Sequence, residues 1–132
     1  MSLRVRADRA LSKALRLPAP TNEFRVDNGV TVPMRDGVEL IADHYIPQCS
    51  APIGTLLVRT PYGRGFPLSA VFGGMFAARG YHVLLQSVRG TFGSGGEFNP
   101  TVNEAADGAD TVAWMRQQPW YTGRFVTAGI SY

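Results

Sequence analysis

The stretch Phe125-Val126-Thr127-Ala128-Gly129-Ile130-Ser131-Tyr132 decides how this chain of 132 residues folds. Residues 125–128 read as a short buried strand, and Gly129-Ile130-Ser131 leaves that strand in a tight turn. Immediately upstream, Thr101 and Glu104 have the spacing of a capping box after Pro100. Ala105, Ala106, Ala109, Val112 and Ala113 form one face of the helix that follows, and Pro119 stops it. Further upstream, residues 55–60 and 81–88 are nearly continuous apolar runs, the pattern of strands covered on both faces. Between them residues 68–79 read as a helix closed by Gly80, which can take the left-handed conformation favoured at helix ends.

The region before residue 54 has a different period. Residues 30–34 and 38–46 are two strand candidates around Arg35-Asp36-Gly37, and Asp-Gly supplies the positive φ of a tight hairpin turn. Asn28-Gly29 marks another turn before it. The order is therefore hairpin, strand, helix, strand, helix, strand. Strands alternating with helices imply an α/β fold with a mostly parallel sheet, here with an antiparallel hairpin at its start.

Residues 1–20 stand apart as a basic amphipathic helix and linker, and residues 21–132 form the α/β part. Leu3, Ala7, Ala10, Leu11, Ala14 and Leu17 recur at helical spacing, with Arg6, Arg9, Lys13 and Arg16 on the other side. Pro18-Ala19-Pro20 ends the helix. Such a helix docks on its own protein or serves at a membrane surface or in targeting. The net charge of +3 is concentrated there: residues 1–17 carry +4 and the remainder −1. The body thus offers no basic surface for nucleic acid. One cysteine, Cys49, excludes an internal disulfide and favours a reducing, cytoplasmic setting. With only His44 and His82 beside it, no metal-ligand cluster forms, and no apolar run is long enough for a transmembrane segment.

In open α/β sheets ligands bind beyond the carboxyl ends of the strands. Those ends lead into Pro61-Tyr62-Gly63-Arg64-Gly65, into the glycine-rich residues 89–98, and into Gly129-Ile130-Ser131-Tyr132. The glycine-rich loop lacks the spacing of a dinucleotide fingerprint and the lysine of a phosphate loop, so no cofactor is expected. Gly-x-Ser after a buried strand is the first half of a nucleophile elbow, in which a strained turn exposes the serine hydroxyl above the sheet. Three residues by themselves are a weak signal, and a plain strand-ending turn is the commoner reading.

Read together, Pro33-Met34-Arg35-Asp36-Gly37-Val38-Glu39-Leu40, Thr60-Pro61-Tyr62, Gln86-Ser87-Val88-Arg89-Gly90, Ser94-Gly95-Gly96-Glu97-Phe98, the segment 104–111 and Gly129-Ile130-Ser131-Tyr132 occur in an order that resembles the cocaine esterase and X-prolyl dipeptidyl-peptidase family of α/β-hydrolases. The resemblance implies the amino-terminal part of an α/β-hydrolase fold, ending at the nucleophile elbow. It implies a serine hydrolase that cleaves ester, amide or X-Pro peptide bonds through an acyl-enzyme on Ser131. Tyr62, through its hydroxyl, and Tyr132, through its backbone N–H, would then stabilise the tetrahedral oxyanion. Arg89 and Glu97 are expected to order loops.

The chain departs from that pattern in two ways. Ser87 stands where the family carries Asp. The acid and the general base follow the serine in this fold, and neither is present. His82 reads as a core histidine within a strand and His44 as a hairpin residue. The expectation is that the isolated 132-residue chain is inactive, and the alternative reading is a truncated fragment or interaction module. A small ester, amide or peptide is the implied substrate; its identity and the oligomeric state are not legible.

Overall fold

Val32 faces Leu40 and Val30 faces Ala42 across an antiparallel hairpin of β1 (Glu23–Pro33) and β2 (Glu39–Gln48), turned by Gly37 at φ 86°. The apolar runs expected from the sequence become β3 (Gly54–Thr60) and β4 (Tyr81–Ser87), which pair in parallel, and β5 (Phe125–Ala128) runs parallel to β3. In this computed structural model, which describes residues 1–132, the five strands form one mixed sheet in the order β1-β2-β4-β3-β5. The hairpin joins the parallel strands through an antiparallel β2–β4 pairing, with His44 opposite Leu84.

Side-chain alternation along the strands divides the core in two. On one face Val32, Leu40, Ala42, Leu57 and Leu84 pack with Met115 of α3 (Glu104–Arg116). On the other, Tyr45, Leu56, Val58, Val83 and Leu85 pack with Ala77 of a helical segment that begins as a π-helix, Ser69–Gly74, and continues as α2 (Met75–Ala77). Half of the expected helix over 68–79, Ser69–Gly74, is thus a wider coil. A side chain at Gly73 would collide with the Tyr45 ring, so the glycine admits this tight helix–sheet approach.

Several local expectations are corrected. Asn28-Gly29 is a bulge inside β1 rather than a turn before it: the register shifts between Asp27 and Val30, and the Gly29 N–H donates to Asp43. The capping box does not form. α3 starts two residues later, after Asn103, while Thr101 adopts φ 66° and Glu104 turns its carboxylate to Arg59 Nη1 at 2.9 Å. The buried stripe of α3 is Asp107, Thr111 and Met115, and Ala105, Ala106, Ala109 and Ala113 face outward. Polar groups win the inward face because each finds a partner there: Asp107 binds Arg89, and the Thr111 hydroxyl donates to Gln86 Oε1 at 3.1 Å. β5 is also less buried than expected. It is an edge strand with Val126 57% exposed.

The basic helix α1 (Leu3–Ala14) forms, with Ser2 as its N-cap. It ends before the prolines: Arg16 takes φ 56°, and the Leu17 N–H bonds to the Ser12 carbonyl at 2.8 Å, closing a Schellman motif with an arginine in the usual glycine place. Its buried face is Val5, Asp8 and Ser12, not the leucine and alanine stripe, and Leu3 is 82% exposed. The reason is polar: Arg79 Nη1 lies 2.9 Å from Asp8, and the same guanidinium reaches Ser12 and the Pro18 carbonyl.

The strongest polar junction lies between the hairpin and α3. Arg89, nearly buried, makes a two-point contact with the buried Asp107 carboxylate at 2.7 and 2.9 Å and a further bond to Asp36 at 2.8 Å. These carboxylates hold the guanidinium protonated far above its ordinary range, and Arg89 in turn lowers the pKa of Asp36. A side chain on Gly96 would come within 2.8 Å of Arg89 Cγ, and one on Gly90 would collide with Phe98 and Glu97 backbone. The glycine-rich loop therefore wraps an arginine rather than a phosphate. Arg89 orders its loop as expected; Glu97 contributes only backbone to that packing. We predict that Arg89→Ala, which strands the Asp107 charge in the interior, lowers unfolding stability by about 3–5 kcal/mol in urea titration. A loss below about 1 kcal/mol would mean that the pair is dispensable.

Candidate active site

β3, β4 and β5 end at the same edge of the sheet, and their outgoing loops build one cleft. The chain leaves β3 toward the face of the π-helical segment and leaves β4 toward the face of α3, so the two loops part and open a crevice. Its walls are Tyr62, Gly63, Arg64, Gly65, Phe66, Pro67 and Leu68 after β3, Phe92 after β4, and Ile130 and Ser131 after β5, enclosing about 740 Å³. That volume is within the range of small-molecule sites. Ser131 and Tyr62, nominated separately by sequence, thus line the same cleft.

Ser131 is exposed and sits at φ 63°, a conformation costly for a residue with a side chain. The turn is closed by the Tyr132 N–H, which donates to the Ile130 carbonyl at 2.8 Å, giving a three-residue turn with the serine at its apex. The Tyr132 ring faces away from the serine: its hydroxyl accepts from the Thr101 N–H at 2.8 Å, and it packs near Phe98 with ring centroids 5.9 Å apart. Tyr62 is half-exposed, and its own N–H donates to the Thr60 hydroxyl at 3.0 Å. Of the three residues nominated by sequence, Ser131 and Tyr62 line one cleft, and the backbone amide of Tyr132 belongs to the serine's turn. That amide is engaged within the turn.

The sequence and the fold have counterparts among known proteins. Residues 36–132 match the family of X-Pro dipeptidyl-peptidases, S15 family. The chain belongs to this family. Cocaine esterase from Rhodococcus sp. (strain MB1 Bresler) is 40% identical over 113 residues, which cover 83% of this chain and 20% of that protein. The chain thus spans about a fifth of the length of the curated relatives it matches. Among solved structures, an aminopeptidase from a marine sediment archaeon, Thaumarchaeota archaeon, is 27% identical with a TM-score of 0.63, covering 84% of this chain and 22% of its own. A CocE/NonD family hydrolase from Staphylococcus aureus superposes with a TM-score of 0.69 at 22% identity over 80% of this chain and 22% of its own, a likeness of fold. The α/β-hydrolase architecture and membership of a hydrolase family follow.

Within this S15-family chain, Arg64 is the residue that sequence reading passed over, although a charge in a glycine-flanked loop after a buried strand was a signal. Its Nη1 donates to Ser87 Oγ at 2.6 Å and to the Phe92 carbonyl at 2.8 Å, and its Nε lies 3.3 Å from Asp43 Oδ1. Ser87 also lends its carbonyl to Ser94 Oγ at 2.7 Å. The loop after β4 is thereby tied down with serine at position 87, the carboxylate coming instead from Asp43 on β2.

The two histidines are at the other end of the sheet. His82 is paired in register with Thr55, which faces Phe125, and the rise from Phe125 to Ala128 alone is about 10 Å before the Ser131 turn begins. Neither histidine lines the cleft. His82 is a core histidine as expected, and His44 lies in hairpin strand β2 as expected but is equally buried, with Nε2 3.0 Å from His82 Nδ1, and both rings pack against Trp120 at centroid distances of 4.2 and 5.2 Å. One ring nitrogen donates and the other accepts, which requires the accepting ring to be neutral. Burial, with His82 and Arg25 adding to it, pushes His44 down to about 3, and burial lowers His82 too. In the unfolded chain both titrate near 6.5. Below that pH the unfolded state takes up protons that the folded state refuses, so this stability is intact above 6.5 and is lost as the pH falls toward the folded values. The unfolding free energy should drop by up to about 1.4 kcal/mol per pH unit for each histidine. We predict a urea midpoint that declines between about pH 6.5 and pH 5 and a shallower decline in His44→Phe; a flat profile in the parent chain contradicts the buried pair.

Proposed function

We propose that this chain supplies the nucleophile and the oxyanion donors of a serine hydrolase acting on ester or amide bonds, X-Pro peptides included. The observation that carries the reading is Ser131 at φ 63° on the apex of a turn whose cleft Tyr62 also lines. A hydroxyl held out in that way can attack a carbonyl lodged between the β3 and β5 loops. Its proton passes to a general base, the carbonyl oxygen becomes an alkoxide, and collapse expels the leaving group to give an acyl-serine. The Tyr62 hydroxyl donates to that alkoxide from one side. The Tyr132 N–H donates from the other once it exchanges its bond to the Ile130 carbonyl for one to the oxyanion. The substrates are small esters, amides or peptides, and the exposed lone Cys49 suits a reducing, cytoplasmic setting.

Within residues 1–132 no histidine or carboxylate lines the cleft, so the base has to come from elsewhere. A second reading, an inert interaction module, is favoured by the open edge of β5 and the outward alanine face of α3. A fluorophosphonate probe separates the two. The 132-residue polypeptide alone should label slowly or not at all, whereas residues 36–132 grafted in place of the matching segment of the Rhodococcus esterase should label stoichiometrically at Ser131. In that graft, Ser131→Ala abolishes labelling and turnover, and Tyr62→Phe lowers kcat by roughly 10²- to 10³-fold with little change in KM. An active graft indifferent to Ser131→Ala would refute the proposal.

A further inference from the structure

We infer that Arg64 is the positioning residue of the site: its guanidinium sets the place of the Tyr62 hydroxyl by clamping the β3 loop to three other parts of the fold. The inference rests on the reading of Tyr62 as an oxyanion donor. Tyr62 is half-exposed at the cleft, and its recorded hydrogen bond runs from its backbone N–H to the Thr60 hydroxyl. A phenol on an exposed loop would sample many positions, and an oxyanion donor acts only where it is already in place. The restraint has to act through the loop.

Arg64, two residues on, supplies it. Nη1 bridges the Ser87 hydroxyl at the end of β4 and the Phe92 carbonyl in the following loop, and Nε faces the Asp43 carboxylate on β2 at 3.3 Å. Asp43 is itself fixed by the Gly29 N–H at 3.0 Å, so the bulge of β1 anchors the far end of the clamp. Between Tyr62 and Arg64, Gly63 takes φ 93°, and a side chain there would press on the Phe92 ring at 3.1 Å. The loop is therefore seated against Phe92 on one side and tied by charge on the other. The side chain of Arg64 is only 18% exposed, so its contacts are shielded from water. Nη1 is engaged by two protein oxygens, and the buried Nε faces Asp43 as an ion pair without an aligned hydrogen bond, which suits a brace better than a group that binds substrate charge. Lysine, with one nitrogen, could not occupy both the Nη1 and the Nε positions that the planar guanidinium holds apart.

The test has two arms. On the 132-residue polypeptide, hydrogen exchange read by NMR should show the Tyr62 amide protected in the parent and exchanging at least about tenfold faster in Arg64→Ala, with β3 and β4 core amides unchanged. Equal Tyr62 protection in both proteins would overturn the clamp. In the active graft described above, Arg64→Ala and Arg64→Lys should each lower kcat by about ten- to hundredfold with KM within about twofold. In the Tyr62→Phe background the same substitutions should have no further effect, because there is no hydroxyl left to place. If Tyr62→Phe impairs turnover but Arg64→Ala costs the same factor with or without it, the inference fails and the oxyanion reading survives. If Tyr62→Phe leaves kcat untouched, the oxyanion reading itself fails. A charge relocation gives a further check: Asp43→Asn should reproduce part of the kcat loss, and adding Ser87→Asp, which returns a carboxylate beside Nη1, should restore it.

Discussion

The contact on which the rest of the architecture depends is that of Arg89 with Asp107 and Asp36. One guanidinium joins the hairpin turn, the loop that leaves β4 and the first turns of α3. A carboxylate as deeply buried as that of Asp107 is tolerated only because two hydrogen bonds from a cation meet it. The same demand explains the shape of the loop. Glycines at 90 and 96 leave room for backbone and for the arginine stem to lie together, so a segment that looks like a ligand cradle in sequence is occupied by the protein itself.

Charge also decides what hydrophobic pattern alone misreads. Helical spacing of alanines in 104–116 and of leucines in 3–17 singles out apolar faces as the inward ones, and both point to solvent. In each case a short polar stripe, Asp107 and Thr111 in one helix and Asp8 and Ser12 in the other, finds a buried partner. A weakly apolar alanine face gains too little from burial to compete with an arginine that needs its carboxylate. That choice requires knowledge of where Arg79 and Arg89 stand in three dimensions, which periodicity does not carry.

The sheet itself was legible. Continuous apolar runs at 55–60 and 81–88, an Asp-Gly turn and alternation with helices fix β2, β3, β4 and β5 to within a residue or two, whereas β1 begins at Glu23, seven residues before the expected run at 30–34. The bulge at Asn28-Gly29 was missed because Asn-Gly signals reversal and bulge alike, and only the pairing register tells them apart. At the cleft, sequence pointed to Ser131, Tyr62 and Tyr132 because each follows a strand. It overlooked Arg64 and Asp43, whose meaning lies in a contact between β2 and the β3 loop that are 21 residues apart. It put His44 in the hairpin without showing its burial, because its neighbours His82 and Trp120 come together only when β2 pairs with β4.

The strand order has one more implication. β3 and β5 are hydrogen-bonded neighbours over four matched residue pairs, from Thr55 opposite Phe125 to Val58 opposite Ala128. The serine turn and the tyrosine loop begin just past the last of those rungs. The points from which the two loops spring are thus set by the fixed interval between adjacent strands, about 4.8 Å, and Arg64 has only to seat the tyrosine loop from there. Mutation in the outer hairpin or in the helices can accumulate without rescaling that interval, so a single backbone ladder could serve many pocket linings.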